Sequence, residues 1–225
     1  GSKAAVHPTF THPFICVDLF IPFLGVCTIS HNTWIHRFVT IGVRPLVNTR
    51  ITPNQITTLR LATGIGAAAS FAVGEELWSM IGCGVFVVSM LLDRADGILA
   101  RLSDKTSSGG HKFDLVADSL SNSLAFIGIG IGLHQSSLGE LAIPLGIVAG
   151  IAITAVLWLV MRAEEQEGSR VAELEGTVGF DPDDAMLALP VAVLLGWGTE
   201  LIVAAAFGAS IFAVYFFFKF RRFLK

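Results

Sequence analysis

Four aspartates fall within one short run: Asp93 and Asp96 stand three residues apart, and Asp114 and Asp118 four apart. Those spacings put each pair on one face of a helix. The turn between them, Ser103 to Gly110, is short enough to lay two helices antiparallel, so all four carboxylates can converge. Such a cluster repels itself unless it is protonated or neutralised, and an all-oxygen donor set suits Mg²⁺ or Mn²⁺. Two such ions bridging phosphate oxygens would offset charge as a phosphoryl group transfers and would orient the attacking and leaving oxygens. Gly97, four residues after Asp93, and Gly110, four before Asp114, remove side chains where a nucleotide must approach the backbone. Arg101, one turn beyond Gly97, can offer a phosphate two parallel donors.

The elements that must hold these residues are membrane helices. The chain of 225 residues is 53% hydrophobic and only 15% charged, with a mean hydropathy of +0.69. A spanning helix needs roughly 20 mostly apolar residues, and six apolar runs are legible, near 54–74, 77–102, 112–134, 138–162, 183–199 and 200–220. The last two are divided only by Gly196-Trp197-Gly198-Thr199-Glu200, which leaves five spans with one long final helix as an alternative. The expected fold is all-α: six transmembrane helices preceded by an amphipathic interfacial helix. Ionisable groups inside spans cost on the order of 2.5–3.5 kcal/mol each and therefore need a reason.

Lysine and arginine place the ends. The connections near 75–76, 135–140 and 196–200 contain none of the 15, so the active site and both termini are expected on the cytoplasmic side. The segment 31–50 sets Trp34, Ile35, Phe38, Val39 and Val43 opposite Arg37, Thr40, Arg44 and Asn48. That pattern fits a basic amphipathic helix in the headgroup plane, with an ordinary packed helix as the alternative. Residues 1–30 hold Gly1-Ser2, which reads as the remnant of a tag, and an apolar stretch that cannot be placed; no cleavable signal is evident. Residues 51–225 form the membrane catalytic domain. The loop after the fourth span ends in Asp181-Pro182-Asp183-Asp184, which helix initiation explains adequately. Cys16, Cys27 and Cys83 lack metal-like spacing and read as packing residues. The net charge of −3 does not point to nucleic acid.

Asp93-Arg94-Ala95-Asp96-Gly97-Ile98-Leu99-Ala100-Arg101, then Gly110, Asp114 and Asp118 at their intervals, resembles the full signature of the CDP-alcohol phosphotransferase family. The resemblance implies transfer of a substituted phosphate from a CDP-linked alcohol to a second alcohol, releasing CMP, with two divalent cations, Mg²⁺ or Mn²⁺. It implies that Asp93, Asp96 and Asp114 ligate the metals, and that Asp118 neighbours them and acts as general base. It assigns Gly97, Arg101 and Ser107 to the CDP moiety, with Ala100 and Gly110 giving it room. Pro53-Asn54-Gln55-Ile56-Thr57 similarly resembles the entry to the family's first core span, whose Asn54 and Thr57 would line the nucleotide pocket.

Other residues keep more than one reading. Arg60 can meet a phosphate, pair with an aspartate, or snorkel to the interface. His111 and Lys112 suit either an anionic substrate or cytoplasmic positive charge. The pairs Gly128/Gly132 and Gly146/Gly150 permit close helix packing, within one chain or in the homodimer the family suggests. The default donor is CDP-diacylglycerol with a soluble acceptor. Because Asp118-Ser119-Leu120 resembles the choline/ethanolamine branch, a soluble CDP-head-group donor with a lipid acceptor stays open. A cation transporter would want acids along a path through the bilayer, and here they gather at one end. The size suits a prokaryotic inner membrane.

Overall fold

The computed structural model describes residues 34–167 and 186–220. Helix α1 (Trp34–Val43) runs into a 3-10 turn at Arg44–Asn48 and is followed by α2 (Pro53–Val73), α3 (Glu76–Leu102) and α4 (Ser108–Gly132). Then come α5 (Ala142–Glu167), the short α6 (Ala188–Leu194) and α7 (Gly198–Phe220). Among the described residues there is no strand. Five helices, α2, α3, α4, α5 and α7, are long and apolar enough to cross a membrane. Of the expected fifth span, 183–199, the described residues hold only the seven-residue α6, too short to cross a membrane, so they do not reach the expected six spans. The final two helices do not merge: α6 stops at Leu194, and Gly196 turns the chain with a φ of 77° before α7 begins.

Local chemistry sets these ends. At α2 the Gln55 Oε1 accepts the Thr52 N–H at 3.0 Å, and Pro53 occupies the first turn, where its missing N–H costs nothing. Gly74, at φ 76°, closes the same helix in the left-handed region that favours glycine. Helix α3 ends with the Lys105 N–H on the Ala100 carbonyl (3.1 Å) and Asp104 at φ 51°, a left-handed cap that an aspartate tolerates. Ser107 then caps α4, its Oγ accepting the Gly110 N–H at 3.0 Å.

Helix α2 packs on both α3 and α4, α4 on α5, α5 on α7, and α6 on α3. Small residues allow the closest of these contacts. A Cβ at Gly128 would run into the backbone of Ala68 on α2, and the Cα atoms of Gly130 and Gly146 face each other across α4 and α5. Both glycine pairs are thus engaged within the chain. The Cys83 thiol donates to the Pro190 carbonyl at 3.6 Å, in keeping with a packing role; Cys16 and Cys27 lie outside the described residues. Outward faces of α3, α5 and α7 carry exposed Leu77, Val88, Ile151, Phe207 and Ile211, as lipid contact requires. Val39 and Val43 of α1 are buried with Ile56, Ile98 and Leu99, so α1 packs against α3 near the carboxylates.

Candidate active site

Three helices build the site. Helix α2 contributes Asn54, Thr57 and Arg60, α3 contributes Asp93, Asp96, Gly97 and Ala100, and α4 with its cap Ser107 contributes Gly110, Asp114 and Asp118. The antiparallel packing of α3 and α4 against α2 brings carboxylate oxygens of Asp93, Asp96 and Asp114 within 4.8 Å of one another. Oxygen donors this close, and no softer ligand in the group, fit a hard divalent ion. Asp118 lies one turn further along α4.

The cluster is held by two residues of α2 on the same helical face. Thr57 Oγ1 donates to Asp96 Oδ2 at 2.6 Å, and both side chains are buried. Arg60, only 3% exposed, reaches Asp93 Oδ1 at 2.8 Å and Asp114 Oδ1 at 3.3 Å through Nη1, and Asp118 Oδ1 through Nη2. It also donates to the Asp114 carbonyl at 3.3 Å. Burial of a guanidinium is tolerable only with such pairing. Of the three readings open for Arg60, pairing with aspartates is the one realised, and burial rules out snorkelling. Its backbone carbonyl accepts Ser89 Oγ–H at 3.0 Å, a further tie between α2 and α3.

A cleft of about 170 Å³ opens beside the cluster. Its lining includes Asn54, Thr57, Gly97, Ala100, Ser107 and Gly110, together with Asp96 and Asp114. Gly110 is where space matters: a Cβ there would come within 3.0 Å of Ser107 Oγ and 3.2 Å of Asn54 Oδ1. Arg101 is exposed and does not line the cleft, but its Nη2 lies 3.8 Å from where a Gly97 Cβ would be, so the side chain folds back toward that glycine. His111 lines the cleft, and Lys112 does not. Asp183 and Asp184 fall outside the described residues.

Several residues of this region are not evident from the motif. Lys105 and Thr106 line the cleft because the α3 cap turns them toward it. Asn122, buried, donates through Nδ2 to Asp118 Oδ1 at 2.8 Å. Its position four residues after Asp118 is the helical spacing that could have found it. A second, smaller cavity of about 20 Å³ is bounded by Arg60, Ser89, Asp93, Asp118, Asn122 and Met186 among others, and it shares no lining residue with the cleft.

A helical membrane bundle with an acidic, oxygen-donor centre beside a glycine-floored cleft is the class that this fold and site define. The chain belongs to the CDP-alcohol phosphatidyltransferase family, whose model matches residues 50–215, from just before α2 into α7. It is also similar to archaetidylinositol phosphate synthase of Pyrococcus horikoshii, with 32% identity over 89 residues, 40% of this chain. That match spans 46% of the relative, a little under half its length.

Proposed function

We propose that this chain transfers a substituted phosphate from a CDP-linked alcohol to the hydroxyl of an acceptor alcohol, releasing CMP, in phospholipid synthesis. The cleft carries this reading. Six of the seven residues expected to hold the CDP moiety line it, and it ends on Asp96 and Asp114. Asn54 and Ser107 offer polar groups at its mouth, Gly97 and Gly110 admit the nucleotide, and Lys105 and Arg101 supply positive charge for its phosphates. Two divalent cations, Mg²⁺ or Mn²⁺, held by Asp93, Asp96, Asp114 and Asp118, would neutralise charge on the diphosphate.

The chain's own groups account for the proton. Asp118 takes it from the acceptor hydroxyl as that oxygen bonds to phosphorus and the bond to CMP breaks. Both described bonds to Asp118, from Arg60 and from Asn122, fall on Oδ1, which leaves Oδ2 for the hydroxyl. Asp118 borders the smaller cavity and Asp96 the cleft, an arrangement that suits attack and departure at different sides of one phosphorus.

CDP-diacylglycerol is the preferred donor. The family is named for phosphatidyl transfer and the Pyrococcus relative for synthesis of archaetidylinositol phosphate, and both names favour a lipid on the CDP side. Inositol phosphate is therefore the first acceptor to try. The Lys and Arg distribution supports a cytoplasmic site, and the prokaryotic inner membrane stays an expectation from chain size. A sixth span completed by α6 and a homodimer belong to the same reading, the dimer on the family resemblance alone.

Purified protein with Mg²⁺ should release CMP from CDP-diacylglycerol only when an acceptor is present, and chelation should stop it. Asp118→Asn should remove turnover while leaving CDP binding largely intact. CDP-ethanolamine with diacylglycerol is the parallel arm, and product in that arm alone would reverse the donor assignment. No CMP from either arm would sink the proposal.

A further inference from the structure

Arg60 touches three of the four aspartates that the proposed reaction assigns to two cations. Nη1 lies 2.8 Å from Asp93 Oδ1 and 3.3 Å from Asp114 Oδ1, and Nη2 is bonded to Asp118 Oδ1. Asp96 is engaged by Thr57 instead. The carboxylates therefore form two overlapping sets. Asp93, Asp96 and Asp114 make the compact oxygen cluster, and Asp93, Asp114 and Asp118 gather round one guanidinium.

We propose that Arg60 and the second divalent cation compete for the Asp93, Asp114 and Asp118 oxygens, so that this cation binds only as Arg60 gives them up. The inference rests on the two-cation reading above and adds an order of loading. The first ion can use the compact cluster of Asp93, Asp96 and Asp114. A second ion bridging Asp93, Asp114 and Asp118 needs oxygens that Arg60 holds. A guanidinium and a divalent ion that share these three carboxylates also repel at short range, so their joint occupancy is unfavourable.

A guanidinium only 3% exposed does not leave its acids for water at low cost. It needs another anion within reach. A nucleotide diphosphate in the cleft can supply one beside Asp114, which lines the cleft and pairs with Arg60 Nη1, so that its oxygens could accept from Arg60 while also contributing ligands to the incoming ion. The second cation and the nucleotide should therefore bind together, each raising the affinity for the other by the same factor. The pairing of Arg60 with three carboxylates also gives the site a resident positive charge that limits self-repulsion among the aspartates.

The test is a Mn²⁺ titration of detergent-solubilised protein, followed by calorimetry for stoichiometry and by electron paramagnetic resonance for coupling between adjacent ions. Wild-type protein should bind one Mn²⁺ without nucleotide and take up a second, spin-coupled to the first, when CDP is added. Arg60→Gln should bind the second ion without CDP, at least about tenfold tighter than wild type, because a charge-assisted competitor is gone. Arg60→Lys keeps the charge but cannot span three carboxylates, and should give an intermediate affinity. It also serves if the glutamine variant fails to fold. Two equal ions in wild type without CDP, or an unchanged second affinity in both variants, would overturn the competition. Failure of wild type to bind any Mn²⁺, with or without CDP, would overturn the cation reading itself, and this inference with it.

Discussion

Thr57→Val probes the site through a single atom. Thr57 Oγ1 donates to Asp96 Oδ2 at 2.6 Å, with the two residues 2% and 3% exposed. Valine keeps the shape and replaces the hydroxyl with a methyl group, so Asp96 loses a donor where water has little access. A hydrogen bond to a charged group is worth about 1.5–3 kcal/mol, and about 1.4 kcal/mol is a factor of ten in an equilibrium constant. The loss corresponds to roughly 10- to 150-fold, in the range of about 10–100-fold seen when the partner of a metal ligand is removed. If Asp96 ligates a cation, the Mg²⁺ concentration for half-maximal CMP release should rise by about 10–100-fold. Saturating Mg²⁺ should restore most of the turnover, because the variant weakens ligand orientation and leaves the base alone. Thr57→Ser, which retains the hydroxyl, should stay within several-fold of wild type. The assay is the initial rate of CMP release over a Mg²⁺ titration at fixed donor. A valine variant that titrates like wild type would refute the argument, as would a serine variant as impaired as valine.

Two further substitutions separate chemistry from packing. Asn122→Ala removes the 2.8 Å bond to Asp118 Oδ1 and should lower kcat about tenfold, the equivalent of one hydrogen bond, while the donor KM stays put. A donor KM that rises in step with the loss would instead place Asn122 in nucleotide binding. Gly128→Ala drives a Cβ into the Ala68 carbonyl oxygen and to 3.0 Å from its carbon, which should cost about 1–3 kcal/mol and lower the melting temperature in detergent. Gly208→Ala, whose added Cβ meets nothing within 4 Å, is the control and should melt as wild type.

Much of the fold was legible because the helix ends are written in local chemistry. Pro53 with Gln55, Gly74 and Ser107 lie at the edges of apolar runs, and the five long helices begin and end within a few residues of five of the six expected spans. The aspartate spacing likewise pairs Asp93 with Asp96 and Asp114 with Asp118, since a three- or four-residue interval survives any packing of the helix that carries it, and the short turn after α3 brings Asp114 back to the first pair. What hydropathy and spacing do not contain is the rotation of one helix about its neighbours. That is why Arg60 kept three readings: its partners lie on α3 and α4, far along the chain, and only the packed bundle chooses among them. The same holds for the glycine pairs. Their spacing announces a close contact, but not that Gly128 faces α2 while Gly146 faces α4. Lys105 and Thr106 depended on the left-handed cap at Asp104, a geometry that the apolar pattern does not encode.

The tight packing and the acidic centre are physically one feature. Thr57 and Arg60 can hold carboxylates on two other helices only if α2 comes very near both. On the α4 side that proximity is set by small residues, with Gly64 against Ser121, and Gly128 against Ala68. Helices packed through larger side chains sit about 8–10 Å apart. A guanidinium that now spans from Asp93 on α3 to Asp118 on α4 has little slack to follow such a separation. An added methyl group at Gly128 should therefore act at two places. It strains the contact with Ala68, and it shifts α4, and with it Asp114 and Asp118, relative to Arg60. On this argument Gly128→Ala raises the Mg²⁺ requirement for CMP release as well as lowering thermal stability. A variant that lost stability but kept the wild-type Mg²⁺ dependence would show the carboxylates to be positioned independently of the glycine contacts.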